Sequence, residues 1–344
     1  MNPIALSIFI SSLAIGTTVT LSSHHWLLAW IGLELNTLAI VPLMMKTPHP
    51  RTIEAATKYF LTQATASALI LFSSLINAWG LGEWSILTLS NPPSTIISIA
   101  LMMKLGLAPL HFWLPEVLQG VSLPTGLILS TWQKLAPISL LYQLSELMNI
   151  YVISIIGLTS VLVGGWGGIS QTQLRKILAF SSISHLGWMI IILKFNPQLM
   201  MFNFLIYALL TAAMFSSLIY LGTTKMSEIS TVWSKTPTLT SVMMLTLLSL
   251  AGLPPLTGFS PKLLILLELI KQNSLMSATI VMLAALLTLF FYLRLTYIVT
   301  LTLAPNAPSS AISWRSSPKP STLVATLSSM TLIMFPLTPT LLLM

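Results

Sequence analysis

Several titratable side chains lie inside apolar stretches of the sequence rather than in the polar segments between them. The four best placed to transfer protons are Glu34, Lys104, Lys134 and Lys262. Each full charge at the centre of a bilayer costs about 2.5–3.5 kcal/mol, so the four together represent a penalty of roughly 10 kcal/mol. We therefore expect them to face one another, a water-filled path or a ligand, an arrangement that is typical of a proton relay.

Three further side chains are weaker candidates. His111 and His185 lie in apolar stretches, where a histidine either relays protons or is a buried polar group with satisfied hydrogen bonds. Lys104 and His111 are seven residues apart, a spacing that predicts nearly the same face of one helix. For Arg294, near the end of its stretch, snorkelling to lipid headgroups is the favoured interpretation.

Prolines interrupt two of the apolar stretches close to these cations. Pro109 follows Lys104 by five residues, and a group of three prolines precedes Lys262: Pro254, Pro255 and Pro261. Proline removes a backbone hydrogen bond and interrupts a helix. Freed carbonyls at membrane depth are tolerated only where they line a cavity or meet a partner. The pattern predicts two broken helices, and Lys262 either transfers protons or caps the unwound backbone.

The composition is that of a protein embedded in lipid. Of 344 residues, 55% are hydrophobic and 6% are charged, and the mean hydropathy is +0.90. A soluble domain has roughly 25% charged residues. The sequence has no cysteine, which excludes disulfides, thiolate zinc sites and cysteine-bound iron–sulfur clusters. There is also no glycine-rich nucleotide loop, so we expect no metal and no cofactor bound by this chain.

Apolar runs bounded by proline, glycine, asparagine and charge predict an all-α polytopic membrane protein. The single integral domain, 1–344, has about eleven transmembrane helices. The predicted spans are 3–22, 25–45, 56–80, 94–118, 123–145, 149–170, 174–194, 198–222, 238–270, 275–303 and 321–343.

The basic residues predict the orientation of these spans. The net charge of +8 would suggest nucleic acid in a soluble protein, but here the basic residues lie mostly in short connections, and we expect no nucleic-acid partner. Nine fall on the face that carries the N-terminus: Lys46, Arg51, Lys58, Arg175, Lys176, Lys225, Lys235, Arg315 and Lys319. The opposite face has Lys194 and Lys271. By the positive-inside rule, the N-terminus is on the cytoplasm-like side and the C-terminus is across the membrane.

The two broken spans are the fourth and the ninth, which suggests an internal repeat. A unit of five spans, repeated in tandem, re-enters the membrane with inverted topology, and matched interruptions mark the transport path. The predicted repeats are 1–145 and 149–303, followed by a final helix at 321–343. This offset pairs Glu34 with His185 and Lys134 with Arg294.

Two segments also carry a family resemblance. KLGLAPLHFWLPE (104–116) and AGLPPLTGFSPK (251–262) resemble the broken-helix motifs of the antiporter-like membrane subunits of respiratory NADH dehydrogenase, or complex I. The whole chain is similar to the shortened vertebrate mitochondrial form, which lacks three helices that precede the first span in longer members. The N-terminus has no basic or Arg-rich targeting segment, so we expect no cleaved targeting peptide.

The resemblance implies a role for each candidate. Glu34 matches the glutamate that modulates the partner lysine, Lys104, while Lys134 matches the central lysine and Lys262 the lysine toward the proton exit. His111 and His185 bridge them through water. The implied partners are other membrane-arm subunits and phospholipids. The implied location is the mitochondrial inner membrane, with the N-terminus in the matrix and the C-terminus in the intermembrane space. NADH, FMN, iron–sulfur clusters and ubiquinone belong to other subunits.

Two alternatives remain open at this point. One is a stand-alone cation–proton antiporter, although the absence of Asp removes a common sodium ligand. The other is a purely structural membrane subunit, or a haem carrier that uses His111 and His185 as axial ligands.

Overall fold

A computed structural model describes residues 2–233, 236–301 and 322–338. The described residues contain helices, turns and two isolated β-bridges, and no strand. The helices are α1 (Pro3–Ser22), α2 (Trp26–Met44), α3 (Pro50–Leu81), α4 (Pro93–Leu105), α5 (Trp113–Gly120), α6 (Leu123–Ser130), α7 (Trp132–Gln143), α8 (Ile150–Ile169), α9 (Leu174–Ile192), α10 (Pro197–Leu221), α11 (Met226–Val232), α12 (Pro237–Ala251), α13 (Phe259–Lys271), α14 (Leu275–Leu301) and α15 (Thr322–Ile333), with a 3₁₀ turn at Phe335–Leu337.

Six of these helices, α1, α2, α3, α8, α10 and α14, are long and apolar enough to cross a membrane. Shorter apolar helices include α4, α12 and α15. The prediction of an all-α polytopic membrane protein is confirmed, whereas the count of eleven spans and the inverted repeat stay predictions. Lys235, Arg315 and Lys319, which contribute to the predicted orientation, lie outside the described residues.

The chain forms two compact units, 1–160 and 161–344. The predicted boundary between the repeats, at 145–149, lies just before α8, whereas the boundary between the units lies inside that helix. The first unit contains α1 to α7 and the second contains α9 to α15.

Both units contain an interrupted helix at the predicted prolines. α4 ends at Leu105, α12 ends at Ala251, and seven residues in turns separate each from the next helix. The residue that ends each helix is a glycine in the left-handed conformation, Gly106 at φ 78° and Gly252 at φ 83°. A side chain is disfavoured in this conformation, so glycine is the natural terminator. Pro261 was wrongly predicted as a break, because it lies in the first turn of α13, where proline is tolerated.

A third interruption was missed by the sequence analysis. The predicted fifth span, 123–145, is divided into α6 and α7 at Thr131, whose φ and ψ are −114° and −68°. No proline or glycine marks position 131, and the nearest signal is Pro137 inside α7. The break places Lys134 in the first turn of α7 rather than in the middle of a continuous helix.

The same small β-bridge occurs once in each unit. In the first unit His25 bridges to Ser85, and in the second Gln173 bridges to Lys225. Each bridge has two backbone hydrogen bonds of 3.1–3.2 Å, one in each direction. The first bridge ties the connection between α1 and α2 to the segment after α3, and the second ties the connection between α8 and α9 to the segment after α10. Each of these two groups of three helices is therefore joined at one end.

α1 and α2 cross at very close range. A Cβ atom on Gly32 would lie 2.6 Å from Cγ2 of Thr20, and one on Gly16 would lie 2.6 Å from Oδ1 of Asn36. Small residues allow helix backbones to approach in this way inside a membrane. The crossing lies beside Asn36, whose side-chain amide atoms are buried and have no hydrogen-bond partner among the described residues.

Candidate functional site

A small polar cavity lies inside the first unit. Its volume is about 20 Å³, and a cavity of about 10–15 Å³ is enough for one water molecule. Two of the predicted cations line it, together with the side chains of α2, α3 and α7. The polar lining includes Asn36, Tyr59, Gln63, Lys104, Gln133 and Lys134. The structure therefore brings Lys104 and Lys134 to one site.

Lys104 lies in the last turn of α4 and is 6% exposed. Its ammonium nitrogen is buried and has no hydrogen-bond partner in the described parts of the chain. The carbonyls at the end of the helix have other donors: the indole of Trp113 donates to Met103 O at 3.2 Å, and the amide of Gln63 donates to Lys104 O at 3.4 Å. Trp113 and Gln63 thus cap the end of α4, and the side chain of Lys104 lines the cavity instead.

Glu34 acts on this lysine through space. The carboxylate interacts electrostatically with Lys104 and with Tyr59, and one carboxylate oxygen, Oε2, is buried without a hydrogen-bond partner. Within the described residues Glu34 forms no salt bridge of 4 Å or less. Glu34 and Lys104 therefore interact across a gap rather than in a contact ion pair.

Lys134 is 3% exposed and lies at the amino-terminal end of α7. The amino end of a helix carries a partial positive charge, which disfavours a cation there. Of the two lysines at the cavity, Lys134 therefore has the less favourable helix position for an ammonium, since Lys104 lies at a carboxyl end.

Lys262 is the charged centre of the second unit. It is 9% exposed, and Nζ donates to Ala251 O at 2.9 Å and approaches Leu250 O at 3.5 Å. The lysine thus caps the helix that ends just before it, as one interpretation of the sequence suggested. Nζ also lies 5.9 Å from the ring centroid of Trp188.

Two predicted residues do not join these sites in the expected way. His111 lies in the turns after α4, its Nδ1 is 3.2 Å from Pro109 O, and it does not line the cavity. The prediction that it shares a helix face with Lys104 is wrong, because α4 ends at Leu105. Arg294 does not snorkel: its guanidinium donates to Ile169 O at 2.6 Å and caps the carboxyl end of α8.

His185 lies buried in α9 among other polar side chains of the second unit. Its ring centroid is 5.6 Å from that of Tyr207, and both residues are less than 10% exposed. Tyr207 and the buried hydroxyls of Ser181 and Ser182 on α9 were not predicted. They give the histidine a polar environment inside an otherwise apolar helix pair.

The sequence analysis also missed Tyr59, Gln63 and Trp113 at the first site. Tyr59 and Gln63 are one turn apart on α3, which places both on the face that meets the end of α4. Two buried polar residues at this spacing in an apolar span are a signal that was available from sequence. Trp113 gave no such signal, because its role depends on the turns between α4 and α5, which bring its indole to Met103 O.

The two interrupted segments align without a gap. GLAPLHFWLPE (106–116) and GLPPLTGFSPK (252–262) share the terminating glycine and two prolines. In this alignment the position of Lys262 is occupied by Glu116 in the first unit. Glu116 is exposed and forms an ion pair of 2.7 Å with Lys58, which also contacts Glu54 at 2.6 Å.

Family models and relatives agree with the motifs. Residues 23–288 match the family described as NADH:quinone oxidoreductase/Mrp antiporter, TM, and residues 289–342 match NADH dehydrogenase subunit 2 C-terminus. The chain is 69% identical to the NADH-ubiquinone oxidoreductase chain 2 of Aquarana catesbeiana over 100% of both chains. The chain belongs to the NADH-ubiquinone oxidoreductase chain 2 family. The resemblance seen in the sequence, to subunit 2 in its vertebrate form, is confirmed.

Other members of the chain 2 family are similar over nearly their whole length. Identity is 61% with the Xenopus laevis protein, over 95% of each chain, and 55% with that of Squalus acanthias, over 99% of this chain and 98% of the relative. A chain in a structure of respiratory complex I from Thermus thermophilus has a TM-score of 0.83 at 25% identity, covering 98% of this chain and 80% of that one. A chain of the Mrp complex from Dietzia sp. DQ12-45-1b shares the fold, with a TM-score of 0.86 at 18% identity over 97% and 75%.

Proposed function

We propose that this chain is a membrane-arm subunit of the proton-pumping NADH:ubiquinone oxidoreductase of the mitochondrial inner membrane. It transfers protons through Glu34, Lys104, Lys134 and Lys262, while NADH, FMN, iron–sulfur clusters and ubiquinone are bound by other subunits. The observation that carries the proposal is the cavity in the first unit. Two buried lysines line it, and the ammonium of Lys104 has no hydrogen-bond partner in the described residues. A structural role alone gives no reason to bury two cations together.

The proposed step in the first unit is a proton transfer between two amines. The charge of Glu34 stabilises the ammonium of Lys104, and withdrawal of that charge leaves a desolvated cation with no hydrogen-bond acceptor. Lys104 then gives its proton to a water molecule in the cavity, and that water passes a proton to Lys134. The lone pair of Lys134 accepts it, so one amine becomes neutral as the other becomes charged.

The place of Lys134 at the amino end of α7 favours onward transfer. A cation is disfavoured there, so Lys134 holds the proton less firmly than a lysine at a carboxyl end. In the second unit His185 and Lys262 continue the path, and we assign the exit side to Lys262. His111 lies outside the cavity and has a supporting role at most.

We also propose that residues 1–145 and 149–303 are copies of one five-helix design with opposite topology, followed by a last helix at 321–343, eleven spans in all. The support is that each unit has the same β-bridge, the same glycine-terminated broken helix and a gap-free alignment across the interruption. We further propose that the N-terminus faces the matrix and the C-terminus the intermembrane space. The support is Lys46 and Lys225 in connections, together with Arg51, Arg175 and Lys176 in the first turns of α3 and α9.

The test is made on the whole complex reconstituted in liposomes. Lys104→Met and Lys134→Met are expected to lower the protons pumped per electron or to stall ubiquinone reduction. Lys271→Met is the matched control, because Lys271 is 73% exposed and forms an ion pair with Glu268 at 3.7 Å. Native electrophoresis checks that each complex is assembled, and electron transfer from NADH to ferricyanide, which bypasses the membrane arm, checks that electron entry is intact. Normal pumping and normal turnover in both variants would overturn the proposal.

The same preparation addresses the antiporter alternative. Proton movement driven by a sodium gradient in the absence of NADH would favour stand-alone antiport. Proton uptake that depends on NADH and ubiquinone, with no response to sodium, is the result expected for a subunit of the oxidoreductase.

A further inference from the structure

Different kinds of side chain cap the carboxyl ends of the two interrupted helices, α4 and α12. At the end of α4, the indole of Trp113 and the amide of Gln63 satisfy the last carbonyls, and neither group titrates. At the end of α12, the donor is the ammonium of Lys262, which reaches Ala251 O at 2.9 Å. The carboxyl end of α12 is therefore capped by a titratable side chain, whereas the carboxyl end of α4 is capped by donors that do not titrate.

The ammonium reaches the helix end because of Gly252. A Cβ atom on this glycine would lie 2.9 Å from Cδ and 3.0 Å from Nζ of Lys262. Any side chain at position 252 would therefore overlap with the Lys262 side chain in the conformation that reaches Ala251 O. The backbone at Gly252 also has φ 83°, so glycine meets two separate requirements here.

The face of Trp188 supports the same ammonium from α9. Nζ of Lys262 is 5.9 Å from the centroid of the ring, and Trp188 is 2% exposed. A cation within about 6 Å of an indole face is attracted by the ring, most strongly when both groups are removed from water. Carbonyls at the carboxyl end of α12 carry partial negative charge, which also favours a cation.

We propose that Gly252 and Trp188 are positioning residues that hold the protonated side chain of Lys262 on the carboxyl end of α12. This inference rests on the proposed function, because it assumes that Lys262 carries a proton during pumping. The ammonium form gains from the helix end and from the ring, and the neutral amine loses both of these charge interactions. Release of the proton from Lys262 therefore weakens the contact between its side chain and the carboxyl end of α12, because only an ordinary N–H hydrogen bond to Ala251 O remains.

The test of Gly252 has a close control within the same unit. Gly222 ends α10 in the same left-handed conformation, at φ 64°, and a Cβ atom on it would meet nothing within 4 Å. Gly222→Ala and Gly252→Ala therefore introduce similar backbone strain, but only the second displaces Lys262. In the intact complex, Gly252→Ala is expected to lower the protons pumped per electron as much as Lys262→Met does, while Gly222→Ala stays near the unmodified value.

A double variant shows whether Gly252 acts through the lysine. If it does, Gly252→Ala combined with Lys262→Met pumps no worse than Lys262→Met alone, since the effects of residues acting as one unit do not add. A further loss in the double variant, or equal behaviour of Gly252→Ala and Gly222→Ala, would overturn the positioning role.

Trp188 is tested by two substitutions of similar size. Trp188→Phe keeps an aromatic face near the ammonium and is expected to retain most of the pumping, whereas Trp188→Leu removes the face and is expected to lower it about tenfold. Equal effects of the two would contradict the role of the ring. Normal pumping by Lys262→Met would instead count against the proposed function at this lysine. If Lys262→Met lowers pumping but Gly252→Ala matches Gly222→Ala and Trp188→Leu matches Trp188→Phe, only the positioning role is rejected.

Discussion

The indole N–H of Trp113 donates a hydrogen bond of 3.2 Å to the carbonyl oxygen of Met103, across the interruption between α4 and α5. The donor lies in the first turn of one helix and the acceptor in the last turn of the other. Edge contact with the ring of Tyr59, at 5.7 Å between centroids, fixes the indole from a third helix. The contact ties the end of α4, next to Lys104, to the first turn of α5.

Replacement of Trp113 by Phe is expected to remove the hydrogen bond to Met103 O while keeping most of the apolar packing of the ring. A net loss of about 1 kcal/mol is typical when one buried hydrogen bond is removed. We expect the complex to lose this subunit at a lower temperature, measured by native electrophoresis after heating. Trp79→Phe is the control, because Trp79 is 91% exposed. Equal heat sensitivity of the two variants would show that the hydrogen bond contributes nothing.

Glu34→Gln is expected to impair pumping while leaving assembly intact. The substitution keeps the shape of the side chain but removes the charge that acts on Lys104. Loss of one close charge partner is expected to lower proton pumping about tenfold. Glu34→Asp keeps the charge and is expected to retain more activity. Glu83→Gln, at an exposed position in a connection, serves as the control. Identical pumping by the Gln and Asp variants would contradict an electrostatic role.

The ion cluster of Lys58, Glu54 and Glu116 is expected to matter little. It joins α3 to α5, but the side chains are 41–60% exposed, and exposed pairs contribute about 0–1 kcal/mol. Lys58→Met is therefore expected to leave pumping unchanged and to lower stability slightly, less so at high salt. A stalled pump in Glu116→Gln would reveal a role for the carboxylate that aligns with Lys262.

A pH dependence is expected at α11, which lies in the connection after α10. The carboxylate of Glu228 accepts hydrogen bonds from the backbone N–H groups of Thr224, at 2.7 Å, and Lys225, at 3.1 Å. These bonds hold the pKa of Glu228 below its ordinary value of 4.5. The cap is fully present above pH 4.5 and is lost as the pH falls through the lowered pKa.

The measurement is amide hydrogen exchange, corrected for intrinsic rates, in peptides covering 223–229. Glu228→Gln is expected to reduce protection about threefold at neutral pH, a modest effect because the Gln side chain can still accept one of these hydrogen bonds. The variant is also expected to abolish the further loss in acid. Protection that still falls in the Gln variant below pH 4.5 would point to another titrating group.

The crossing of α1 and α2 predicts a strong size limit at Gly32. A Cβ atom there would lie 2.9 Å from Gly16 O, a backbone atom that cannot turn aside. Gly32→Val is expected to cost about 2 kcal/mol through overpacking and to reduce the amount of subunit in assembled complex. Gly80→Val on α3 is the matched control, since a Cβ atom there meets nothing within 4 Å. Equal assembly of both variants would contradict the close packing.

The parts of the fold that follow from local chemistry were predictable from sequence. Apolar length set the long helices, and glycine and proline marked both interruptions, because a missing donor or a positive φ acts on the residues next to it. The division at Thr131 was not predictable, since no residue there forbids a helix.

The candidate site was predictable to the level of residue types. A charge in an apolar span is costly wherever its neighbours are, so Glu34, Lys104, Lys134 and Lys262 could be found without a structure. The contacts of these four side chains could not be predicted from the sequence. The spacing of Lys104 and His111 suggested a shared face, but one glycine between them ends the helix. Likewise, only the fold shows that Lys262 reaches back to Ala251 O.

The β-bridge at His25 and Ser85, and its counterpart at Gln173 and Lys225, have a consequence for biogenesis. A chain is made from its N-terminus, and each bridge needs nothing beyond the segment after α3 or α10. Both bridges can therefore close while the ribosome has yet to supply the interrupted helix. The helices α1–α3, and later α8–α10, can therefore insert as a joined group of three. The shorter helices that carry Lys104, Lys134 and Lys262 are inserted after the group that precedes them in the chain.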